Sequence, residues 1–120
     1  MVTYLIEGKS DSLEFASALL SEGLISGISE RESSNSVTGS YVVVVVNQVR
    51  VKIDAVDDFS EFDTRVIELS IPTLQPSGLL LSPELILLEL VKKIASKYVV
   101  WESRYEDKKF HLQRFSNSSP

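Results

Sequence analysis

The chain has 120 residues, 43% of them hydrophobic and 24% charged, with a net charge of −5; such a composition is globular, and the length suits one domain with a real core but not two. No cysteine is present, which excludes disulfides, thiolate metal sites and cysteine nucleophiles. The charge is divided along the chain: through Val91 five Lys/Arg stand against fourteen Asp/Glu, net −9, and from Lys92 onward seven stand against three, net +4.

The opening Met-Val-Thr-Tyr-Leu-Ile-Glu-Gly-Lys lacks a basic segment followed by a long apolar one and reads as no signal peptide. Val2 to Ile6 is a short apolar strand. A helix follows, signalled by Asp11 as N-cap with Glu14 three residues on. Leu13, Ala16, Leu20 and Leu24 form its expected apolar stripe, widened by Phe15 and Leu19, and Gly23 suits the left-handed residue that ends it. Ile25 to Val37 is polar apart from its ends, and Arg31 to Ser36 reads as a mobile connection or hairpin tip.

Tyr41 to Val56 is the stretch around which the chain is organised. Its first half is an unbroken β-branched run, as in a strand covered on both faces. Its second half alternates, with Val49, Val51, Ile53 and Ala55 on one side and Arg50, Lys52 and Asp54 on the other. Asn47-Gln48 at the change either turns a hairpin or lies within one long strand; the hairpin is the expectation. Asp57 to Asp63 is acidic, with Phe59 and Phe62 spaced for one helical turn. Arg65 to Ile71 alternates as a strand and is stopped by Pro72.

After the loop at Pro76 to Gly78 comes the clearest helix signal: Ser82 as N-cap, Pro83 in the first turn, Leu81 and Ile86 placed as a hydrophobic staple, Glu84 near the start and Lys92, Lys93 and Lys97 near the end. This helix, expected to reach about Lys97, carries more leucine than one stripe can bury. Leu81, Leu85 and Leu88 are therefore candidate residues of an interface with a second copy of the chain. Tyr98 to Tyr105 and Phe110 to Phe115 read as a hairpin around Glu106 to Lys109, and Ser116 to Pro120 as a frayed tail. The most apolar window, Gly78 to Val91, is too short and too interrupted to cross a membrane.

Strand, helix, several strands and a late helix predict one α+β domain over residues 1–115. The expected architecture is a ferredoxin-like α/β sandwich: a mixed or antiparallel sheet, two main helices on one face and a C-terminal hairpin. Leu19-Leu20-Ser21-Glu22-Gly23-Leu24-Ile25 at the end of the first helix, with Val66-Ile67-Glu68-Leu69-Ser70-Ile71-Pro72 before the last, resembles the CutA family of small PII-like proteins. The resemblance implies a ferredoxin-like fold and trimeric assembly. Gly27 stands where that family usually has cysteine, and its His-Pro-Tyr has no counterpart here.

Tyr4-Leu5-Ile6-Glu7-Gly8-Lys9-Ser10-Asp11 resembles the first motif of Toprim domains, with Asp54 and Asp57 in place of the Asp-x-Asp that follows. That resemblance implies a divalent metal such as Mg2+ held by Glu7, Asp54 and Asp57 for phosphoryl transfer, and it requires parallel strands. A third reading takes Trp101, Arg104, Lys108, Lys109 and Arg114 as a nucleic-acid surface of stacking and basic groups, against which the net negative charge counts. His111, the sole histidine, is expected on an exposed strand. Gly8-Lys9-Ser10 lacks the upstream glycine of a phosphate loop. Among these readings the expectation is a small non-catalytic cytoplasmic binding or regulatory protein acting as a homo-oligomer, a trimer or dimer.

Overall fold

The computed structural model describes residues 2–36, 38–57 and 65–115. The elements run β1 (Val2–Ile6), α1 (Ser12–Ser21), β2 (Gly27–Glu32), β3 (Ser40–Val46), β4 (Val49–Val56), β5 (Val66–Ser70), α2 (Pro83–Ile94), β6 (Val100–Glu106) and β7 (Lys109–Arg114). All seven strands join one sheet in the order β2-β3-β4-β5-β1-β6-β7, and every neighbouring pair is antiparallel. The protein is thus α+β, with a sheet larger than the four strands of a ferredoxin-like domain.

Local chemistry explains the boundaries. The Asp11 side chain accepts from the Glu14 amide at 3.0 Å, satisfying one free donor of the α1 start. At the other end Gly23 takes φ 74°, and the Gly23 and Leu24 amides donate to Leu20 and Leu19 carbonyls, each at 3.0 Å. This is the paired closure for which glycine is suited, since a Cβ is disfavoured at that φ. Pro83 opens α2 in its first turn, where a missing N–H leaves nothing unpaired. The Ser82 hydroxyl lies 2.6 Å from Glu84 Oε2 and makes no cap to the backbone. The last helical residue is Ile94, three short of Lys97, because the chain closes with turns in which the Lys97 and Tyr98 amides both reach the Ile94 carbonyl at 3.0 Å.

Asn47 and Gln48 do turn a hairpin. Both have positive φ, 47° and 71°, which a two-residue type I′ connection requires, and Val46 pairs with Val49 across it. The register then stacks Val42 on Ile53 and Val44 on Val51, and carries on through Leu69 to Tyr4. These residues form the core face of the sheet. Val42, Val44, Val51, Ile53, Ala55, Ile67 and Leu69 are fully buried there, in one cluster with Phe15, Ala16 and Leu19 of α1 and Ile86, Leu87, Leu90, Val91 and Ile94 of α2. Val43 and Val45 point to the second face and are only half-buried, so the valine run is covered more fully on one side than on the other.

Two expectations change. The buried stripe of α1 is Ser12, Phe15, Ala16 and Leu19, whereas Leu13 and Leu20 are 41% and 45% exposed. The period is helical as expected, but the helix is rotated so that its largest side chain, Phe15, meets the core and packs edge-on against Tyr98. Within the polar stretch Ile25 to Val37, Gly27–Glu32 is an edge strand paired with β3 through Glu32↔Ser40, so Arg31 to Ser36, read as a mobile connection or hairpin tip, holds the end of that strand and the start of the hairpin reversal. Charges at Glu30, Arg31 and Glu32 suit a strand whose outer side is open to water. The expected helical turn at Phe59 to Phe62 and the tail from Ser116 lie outside the described residues.

Candidate functional site

A concavity of about 710 Å3 opens where the first turn of α2 passes the ends of β1, β5 and β6. Its floor is apolar: Val2, Ile71, Pro72, Leu85, Leu87 and Leu88 all reach it. Gln75 fixes the segment that forms one wall. Its Nε2 donates to the Arg50 carbonyl at 2.8 Å and its Oε1 accepts from the Arg50 amide at 2.9 Å, so one side chain replaces a strand neighbour for β4. Leu85, 57% exposed, lines the groove; Leu74, between the lining residues Thr73 and Gln75 in the chain, is 74% exposed, and Leu80 and Leu81, just before Pro83, are 96% and 57% exposed. Single exposed leucines are ordinary; a contiguous apolar patch is the feature that calls for an explanation.

Polar groups stand at the margin. Tyr4 is buried and meets Phe115 edge-on at 5.9 Å; burial pushes its phenol above the ordinary value, Glu102 adds to this and Arg104 opposes it. Glu84 is held below the usual carboxylate range by the Ser82 hydroxyl and its own backbone amide. Arg104 pairs with Glu102, which keeps the guanidinium charged.

Of the interface candidates, Leu81 and Leu85 are exposed as expected, while Leu88 is half-buried in the groove wall. The carboxylates proposed for metal do not converge. Glu7 accepts from Trp101 Nε1 at 2.8 Å, Asp54 Oδ1 lies 2.7 Å from the Ser36 hydroxyl, and Asp57 is exposed. Strand β5 separates β1 from β4, and among the described residues every pair of neighbouring strands is antiparallel. No group of three or more His, Cys, Asp or Glu that could hold a metal ion occurs among the described residues.

The C-terminal hairpin divides the residues proposed for nucleic acid. Trp101 pairs with Arg114, and Tyr105 with Phe110, on the second face, whereas Arg104 pairs with His111 on the core side. Lys108 sits in the turn, with φ 62°, and Lys109 opens β7. Trp101 is half-buried and tied to Glu7, which makes it a structural clasp between the β1 end and β6. His111 is exposed on its strand.

One feature could not be found from sequence. On the second face Lys52 pairs with Ser70, and Thr3 with Ser103; Thr3 also falls beside Ser70, one step along from the Tyr4↔Leu69 pair. Three hydroxyl residues therefore line up across three adjacent strands. The alternation of each strand is visible in its own sequence, but the row depends on registers between segments far apart in the chain. The chain matches no protein-family model, and no curated protein or solved structure matches it.

Proposed function

We propose that this protein is a non-catalytic binding or regulatory module that works as a homo-oligomer, with the leucine-rich surface around the α2 groove as its contact between copies. The observation that carries the reading is the exposure of Leu74, Leu80, Leu81 and Leu85 beside an apolar groove. Fully burying one leucine contributes about 1.5–3 kcal/mol, so several together supply a driving force comparable to the cost of association. Glu84 and Arg104 both line the groove, so a contact made there has charged groups at its margin.

The ferredoxin-like reading belongs to the same proposal. Within the order β4-β5-β1-β6, β1–α1–β4–β5–α2–β6 follows a ferredoxin-like path, with β2–β3 as an inserted hairpin and β7 as an added edge. Both helices would then cover the core face, and this arrangement accords with the resemblance to CutA proteins and with a trimer or dimer.

Light scattering coupled to size exclusion at micromolar concentration tests the assembly. The expected result is a dimer or trimer mass, converted to a monomer mass by Leu81→Glu with Leu85→Glu while the cooperative melt is kept. A monomer mass for the unaltered protein overturns the proposal.

A further inference from the structure

The second face of the sheet holds a recess of about 300 Å3, with the row Ser70, Thr3, Ser103 along its base; it meets the α2 groove at Ile71, Pro72 and Thr73, which line both. Ser103 is 2% exposed, and its Oγ has no hydrogen-bond partner among the described residues. A buried hydroxyl left unpaired costs about 1–3 kcal/mol, which a bound group with a matching donor or acceptor recovers. Glu68 borders the row on one side, next to its cross-strand partner Asp54. On the other side stand Tyr105 and Phe110, paired across β6 and β7 with ring centroids 5.0 Å apart and 49% and 64% exposed.

The charges around the recess narrow the chemistry of its ligand. An anion would face the carboxylate of Glu68; an organic cation would face Lys52, which ends the hydroxyl row. A neutral ligand rich in hydroxyls meets neither repulsion. Its hydroxyls can donate to Glu68 and exchange hydrogen bonds with Thr3, Ser70 and Ser103, while an apolar ring face lies against the aromatic pair. The volume is at the small end of ligand sites and suits one ring.

We propose that this recess is a binding site for the pyranose ring of a neutral carbohydrate. The site lies on the second face of the sheet and shares only the Ile71, Pro72 and Thr73 segment with the α2 groove.

The test is a titration of the full-length, isotope-labelled chain, followed through its backbone amide resonances, with glucose, galactose, N-acetylglucosamine and maltose as probes. Choline and inorganic phosphate serve as charged comparators. At least one sugar is expected to shift the Thr3, Ser70, Ser103 and Tyr105 amides saturably at millimolar concentration. Ser103→Ala and Phe110→Ala should each weaken that binding roughly three- to tenfold, the effect of one hydrogen bond or one ring contact. Phe110 is well exposed, so its variant keeps the fold and remains informative if Ser103→Ala does not. The proposal is overturned if no sugar moves these amides, if choline or phosphate moves them and sugars do not, or if Phe110→Ala binds as tightly as the unaltered chain.

Discussion

The β3–β4 and β6–β7 hairpins are built on the same turn and live in different surroundings. Each reverses on two residues of positive φ, Asn47 and Gln48 at 47° and 71° in the first, Asp107 and Lys108 at 53° and 62° in the second, and none of the four is glycine. Yet β3 and β4 bury every second residue completely, whereas beyond Ser103 the β6–β7 hairpin is exposed apart from Leu112 and is laced with charge. Position in the sheet explains the contrast, since β4 lies between β3 and β5 and β7 is an edge. A reversal of chain direction is decided locally; what that hairpin contributes to stability is decided by what the sheet places on it.

The sharpest way to break this contrast is to put one charge into each hairpin. Val51 is fully buried between Val44 and the helices' side chains, and an aspartate there has no partner. A buried unpaired charge costs several kcal/mol against a total stability of about 5–15 kcal/mol, so Val51→Asp should lose its cooperative thermal transition. Leu112→Asp, on the edge strand, should melt cooperatively with a loss of about 1 kcal/mol. Circular dichroism melts of the two variants decide it; equal damage would mean that the terminal hairpin belongs to the core.

Which parts of this molecule were legible in advance follows from the range of the forces involved. Asp11 with Glu14, Pro83 at the start of α2 and Asn47-Gln48 at the turn act over a few residues, and each did in the structure what its chemistry implies. The rotation of α1 was not legible, because Leu13, Phe15, Ala16, Leu19 and Leu20 offer two overlapping apolar stripes and only the shape of the sheet chooses between them. Edge strand β2 was not legible within the polar stretch Ile25 to Val37, because its charged residues are exposed and its pairing with β3 leaves no hydrophobic trace beyond Ile28. Leu81 and Leu85 were readable from the excess of leucine at α2, Leu74 and Leu80 were not, and the Thr3–Ser70–Ser103 row required the order of the sheet.

A second comparison uses pH. Glu68 lies on β5, beside the first hairpin and opposite Asp54, and burial raises its carboxyl above the ordinary value of 4.5; Lys52 lowers it and Asp54 raises it further. A carboxyl whose folded pKa is raised favours the folded state fully at pH below the unfolded value, and that contribution is lost as pH rises through the folded value. Glu68→Gln cannot ionise and should therefore gain in melting temperature relative to the unaltered protein on going from about pH 4 to about pH 7. An unchanged difference between the two proteins across that range would show Glu68 to be as well solvated folded as unfolded. No group at the far end of the β6–β7 hairpin is buried enough to repeat the effect.

The smallest effect probes the turns themselves. Gln48 and Lys108 occupy left-handed conformations that cost a residue with a Cβ about 1–2 kcal/mol, and glycine removes that cost while making the unfolded chain more flexible. The opposing terms leave a net gain of up to about 1 kcal/mol for Gln48→Gly. Lys108→Gly changes the same torsion, but it closes a hairpin whose tip is exposed on both strands, so less of the fold depends on that reversal. If the two hairpins differ in burial and not in turn chemistry, chemical denaturation should show a larger gain for Gln48→Gly, while amide exchange near Lys108 slows locally in Lys108→Gly. Equal global gains would show instead that the terminal hairpin unfolds only with the whole sheet, and that exposure of its side chains does not make it a separate unit of stability.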